Sequence, residues 1–148
     1  MKTIKIKPVQ IIGQCRAGLT VDDECQIKGM NLAAVGRSKL CFLALGHFAP
    51  IVAQLQSGKR FYAHLACPDC LSRRDQENGV EFLLGHADKW ALCRAISDYY
   101  HLSGLGPESE AAKQLKAEAR QLQTAGSYGP ATQKMVQAVA ELKRAVAL

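Results

Sequence analysis

The stretch SKLCFLALGHFAPIVAQLQSG, residues 38–58, decides the architecture. Within it Cys41, Leu45, Phe48, Val52 and Leu55 recur at helical spacing and define one buried stripe. Ser38 is placed to cap this helix and Gly58 to end it. Pro50 lies inside the pattern, where its missing N–H and its ring oppose a continuous helix. A kink, or a restart with Pro50 in the first turn of a second piece, is expected there.

Outward from this helix the periodicity changes to two. Upstream, Thr3 to Ile12 alternates Ile4 and Ile6 with Lys5 and Lys7 and predicts a strand. Pro8 interrupts its ladder, so an edge position or a bulge is expected. Residues 13–20 hold Gly13, Cys15 and Gly18 and read as a loop. Val21 to Lys28 suits a short strand that begins as a turn at Asp22-Asp23-Glu24, and residues 29–36 read as irregular. Downstream, Phe61, Ala63 and Leu65 alternate with Tyr62 and His64 in a strand over 60–66 that runs into Cys67. Residues 71–79 are polar and turn-rich, and Val80 to Leu84 makes a last strand.

One helix among four strands excludes a regular βαβ alternation. The expected fold is therefore α+β: a small, mostly antiparallel sheet with one packed helix over residues 1–87. Residues 88–148 change character. A helix over 88–102 carries Leu92, Ile96 and Tyr99 on one side. Two more stripes follow, Ala112, Leu115, Ala119 and Leu122, then Met135, Val139, Leu142 and Val146. The turn at Gly126 and Pro130 at the start of the last helix join them as an αα-hairpin, a C-terminal helical extension. Such a hairpin buries too little to stand alone, so it docks on the core or forms a homodimer with another copy.

Composition narrows the function classes. The 48% hydrophobic and 22% charged residues are those of a soluble globular chain, which sets disorder aside. No apolar run approaches the roughly 20 residues that span a bilayer. Lys2, Lys5 and Lys7 interrupt the apolar start that a signal peptide needs, so the expected location is cytoplasmic. The net charge of +6 is spread along the chain, and aromatic residues are only 6%. A nucleic-acid face gathers its charge and interleaves aromatics, so nucleic acid is not an expected partner.

The thiols carry the chemistry. Cys67-Pro68-Asp69-Cys70 is a chelating knuckle, because two intervening residues let both thiolates reach one tetrahedral ion. Cys41 on the helix and Cys15 in the loop are its candidate partners, with His47 and His64 as substitutes. Cys15, Cys41, Cys67 and Cys70 thus form the expected site for zinc or an iron–sulfur cluster, whose ligands come from separate elements. Taken singly, Cys41 is better read as a small buried hydrophobe at the start of the apolar stripe, and Cys25 and Cys93 are read that way outright.

Gly13-Gln14-Cys15-Arg16-Ala17-Gly18, Lys39-Leu40-Cys41, Gln56-Ser57-Gly58 and Ala66-Cys67-Pro68-Asp69 together resemble a family of small, uncharacterised prokaryotic cysteine-containing proteins. In that family a Cys in a Gly-rich loop, a Cys-bearing helix and a Cys-Pro-Asp turn follow in this order. The resemblance covers residues 3–86 and implies the boundary of the core and the importance of Cys15, Cys41 and Cys67. Cys25, Cys70, Cys93 and the helical tail lie outside it.

Two other readings compete. A protein-interaction or homodimeric module would use the tail stripes and leave the cysteines incidental. A thiol–disulfide redox protein would use the Cys67/Cys70 dithiol, but the stretch after Cys70 is too short and polar for the helix that activates such a thiol. No Ser-His-Asp pattern, paired carboxylates or phosphate loop can be placed, and Asp22-Asp23-Glu24 lacks the spaced oxygens of a calcium loop. The chain therefore reads as an accessory or carrier protein that binds a metal or iron–sulfur cluster, more than as a free-standing enzyme.

Overall fold

Alternation in the first segment produces the central strand. In the computed structural model, which describes residues 2–67 and 79–147, β1 (Thr3–Ile12) buries Ile4, Ile6 and Pro8 on one face. It pairs antiparallel with β2 (Cys25–Lys28) and with β5 (Gly79–His86). β3 (Asn31–Ala34) pairs with β2, and β4 (Tyr62–Ala66) with β5. The sheet has five strands in the order β3-β2-β1-β5-β4. Every one of these pairs is antiparallel.

Pro8 does not end its strand. The register shifts between Pro8 and Gln10, so a bulge absorbs the missing donor in the middle of the sheet. β2 starts at Cys25, later than the expected Val21, because the preceding residues form a turn. β3 falls in residues 29–36, which were expected to be irregular. It is the return arm of a hairpin whose two-residue turn is Gly29–Met30, with every residue of the strand exposed.

α1 (Phe42–Gln56) is one helix that runs through Pro50, so the expected restart does not occur. Its N-cap is Cys41 and not Ser38, whose hydroxyl instead accepts the Glu24 N–H at 2.9 Å. Ala44, Phe48, Val52 and Leu55 form its buried face. Phe48 meets Phe82 of β5 edge-on, with ring centroids 4.9 Å apart. The far end is tied twice: the Gln56 amide donates to Gly29 O at 2.7 Å, and His86 Nε2 lies 2.7 Å from Leu55 O. The core of this first unit, Met1–Trp90, is the apolar layer between α1 and the sheet. Cys70 and the expected turn up to Asn78 lie outside the described residues.

The second unit, Ala91–Leu148, is helical. A 3-10 turn (Ala87–Lys89) leads into α2 (Trp90–Ser103), which buries Leu92, Ile96 and Tyr99 as the stripe predicts. α3 (Glu110–Thr124) starts where Ser109 accepts the Ala112 N–H at 3.1 Å. α4 (Tyr128–Ala147) returns alongside it and buries Ala131, Met135, Ala138, Val139 and Leu142. On α3 the fully buried positions are Ala112 and Ala119, and Leu115 and Leu122 are only half-buried. Gly126, at φ 81, makes the left-handed turn between the two. The fold is α+β with C-terminal helices, and no described helix is long and apolar enough to cross a membrane.

Candidate functional site

Register places the exits of β1 and β4, which precede Cys15 and Cys67, at one end of the sheet. β1 leaves the sheet at Ile12, opposite Gly79, and Cys15 follows three residues later. β4 leaves it at the same end, since Ala66 pairs with Glu81 and the Cys67 N–H donates to Val80 O at 2.8 Å. β2 starts well inside the sheet, with Cys25 opposite Ile6. α1 begins toward the end where β1 and β4 exit, because its other end is the one tied to His86 and Gly29.

Each sulfur has a different setting. Cys25 and Cys67 are buried, while Cys15 and Cys41 are half-buried and pack against the same apolar cluster. All four are reduced thiols. Burial, with a smaller contribution from the Glu24 carboxylate, pushes the Cys25 thiol up to about 11. Cys41 caps α1 in an extended conformation: its carbonyl accepts the Leu45 N–H at 3.0 Å, and its side chain makes no capping bond. Cys25 and Cys41 line one small cavity of about 20 Å³ with Leu19, Ala44 and Phe82. That volume holds roughly one water and no organic ligand.

A polar clasp holds these segments together, and its key residue, Asp23, reads in the sequence as part of a solvated turn. Its carboxylate accepts the Thr20 N–H at 2.7 Å and the Lys39 N–H at 2.9 Å. Desolvation opposes the charge, but those two N–H groups and the Lys39 ammonium outweigh it and hold Asp23 below the usual carboxylate range. Glu24 pairs with Lys5 at 3.1 Å. Gly18 turns at φ 69 so that its N–H reaches Cys15 O at 2.9 Å. A Cβ there would stand 3.2 Å from Lys39 Nζ. The loop bearing Cys15 and the segment entering Cys41 are thereby fastened to β2.

The histidines divide between surface and core. His47 is exposed on α1. His64 pairs with Glu81 across β4 and β5 at 3.1 Å. His86, the last residue of β5, is 2% exposed, and its Nδ1 has no hydrogen-bond partner among the described residues. With Leu55 O as acceptor, Nε2 carries the proton. Burial of His86 was not foreseen, since it stands just beyond the strand expected over 80–84.

Among the described residues, no group of three or more His, Cys, Asp and Glu side chains is arranged to hold a metal ion. Cys70, the second sulfur of the knuckle, lies outside them. Cys93 belongs to the second unit, on α2, and is fully buried. No protein-family model, curated protein or solved structure matches the chain.

Proposed function

We propose that the thiol end of the first unit binds a metal ion or an iron–sulfur cluster through Cys15, Cys41, Cys67 and Cys70, and that the chain serves as a cytoplasmic accessory or carrier protein. What supports this reading is that Cys15, Cys41 and Cys67 all pack on the apolar core of the first unit, and that β1 and β4 leave the sheet at the same end. These are also the three thiols that the family resemblance singles out. Since the described donors make no set of three by themselves, the reading depends on Cys70 closing the knuckle with Cys67. Zinc bound there would clamp the loop to the sheet, and a cluster would supply one-electron chemistry.

Protein purified without oxygen, and measured for iron, sulfide and zinc, tests this. The expected result is one zinc or a stoichiometric cluster with its sulfide absorption, lost in Cys67→Ser and Cys70→Ser and kept in Cys93→Ser. Absence of every metal from freshly prepared protein that also takes up none on reconstitution sinks the proposal. A reversible Cys67–Cys70 disulfide in that same protein would favour the redox reading. An interaction module is the second reading, and an open apolar groove beside β3 is the observation that favours it.

A further inference from the structure

α1 is too narrow for its sheet. A helix with side chains is about 10–12 Å across and strands stand about 4.8 Å apart, so one helix covers two or three strands of the five. Leu32 and Ala34 of β3 point to the α1 side, because their partners Ile27 and Cys25 do. Nothing among the described residues covers Leu32 fully, and it is 45% exposed. A groove of about 390 Å³ runs between α1 and the β2–β3 hairpin, walled by Leu45, Ala49 and Ala53 on one side and Ile27, Met30 and Leu32 on the other. Met30, at the hairpin tip, is 90% exposed; Phe42, on the same helical stripe as Leu45, is 85% exposed.

Among the described strands, the one that borders this groove is an edge. The Val35 N–H donates to Glu24 O at 2.9 Å. By the alternation of an antiparallel ladder, residues 31 and 33 also face β2, which leaves the N–H and C=O of Leu32 and Ala34 directed outward. Edges are normally blunted by Lys, Pro or a bulge, and Asn31-Leu32-Ala33-Ala34 contains none of these.

We propose that β3 and the groove beside it form a homodimer interface, in which a second copy adds its β3 antiparallel to the first about a two-fold axis at Ala33. Leu32 then exchanges both hydrogen bonds with the partner's Ala34, and Ala34 with the partner's Leu32. No charge stands within residues 31–35 to repel its own image. Met30, Leu32, Val35 and Phe42 with the edge backbone make a small patch, in which an aromatic such as Phe42 buries roughly 150–250 Å². A stable interface buries about 800 Å² on each side, so this dimer is weak and concentration-dependent. It involves neither the C-terminal helices nor any thiol, and stands independently of metal binding.

Sedimentation velocity of the full chain in reducing buffer, over a wide concentration range, tests it. The wild type is expected to pass reversibly from monomer to dimer. Leu32→Lys, at a half-exposed position where the strand survives (checked by circular dichroism), is expected to weaken association about tenfold or more. Val136→Lys, at an exposed site on α4, is expected to leave it unchanged. Ala33→Cys should cross-link to its own image under mild oxidation, as a directly opposed pair, and peptide mapping would identify that bond. A wild type that stays monomeric throughout gives the face to some other protein and overturns the proposal. So does a dimer that survives Leu32→Lys or is lost with Val136→Lys.

Discussion

Cys25 shows what burial does to a thiol. Its folded-state pKa of about 11 exceeds the ordinary 9.0, so the folded chain holds the proton longer than the unfolded chain does. The stabilisation from the neutral thiol is complete below pH 9 and is lost as pH rises toward 11. A shift of that size is worth roughly 2–3 kcal/mol. Denaturant melts followed by Trp90, whose ring lies 4.9 Å from Lys5 Nζ in the first unit, should show that loss in the wild type. They should show less of it in Cys25→Ala. In the second unit the Tyr99 hydroxyl donates to Glu108 at 2.7 Å. Burial first, and then that bond, hold Tyr99 above the usual phenol range; the bond, with help from Lys116, holds Glu108 below 4.5 despite some desolvation. Support from Glu108 is therefore present at neutral pH and fails as pH falls through its lowered pKa. Tyr99→Phe is expected to flatten the acid limb of thermal stability measured between neutral pH and about pH 3, with little change in its alkaline limb below pH 9.

At the scale of elements, Pro50 is the clearest internal conflict. It is exposed in the middle of α1, and the helix continues because Phe48 and Val52 bury on either side of it. An interior proline costs up to about 3 kcal/mol. Pro50→Ala, which restores one N–H donor, is expected to raise stability by about 1–3 kcal/mol in chemical denaturation without altering the helix ends. Local signals were legible in the sequence where periodicity and burial coincide, as in β1, β4 and the face of α1. They failed where a long-range partner took over. Ser38 has the chemistry of a cap, but Glu24, just before β2, offers it a donor, so Cys41 becomes the cap. β3 carries no alternation of burial because none of its residues is buried, and only the hairpin turn marks it.

For the whole molecule, the order of strands and helices could be read almost entirely from the chain, whereas the thiol end could not. Sequence spacing says nothing of which end of a sheet a cysteine leaves by. That follows from register: β1 and β4 run toward the same edge of the layer, and α1 starts over it. Asp23 was equally hidden, since its two backbone partners, Thr20 and Lys39, lie on opposite sides of it along the chain.

α1 is fastened unequally. Its tail is bound by a buried imidazole and by a side-chain amide that reaches the β2–β3 hairpin, while the segment leading into its head is held by Asp23 through an exposed bond and by Ser38 through a half-buried one. Hydrogen exchange is therefore expected to show the front of the helix opening before its rear. The cysteine at its tip would open with that front while the aromatic pair beneath stays seated.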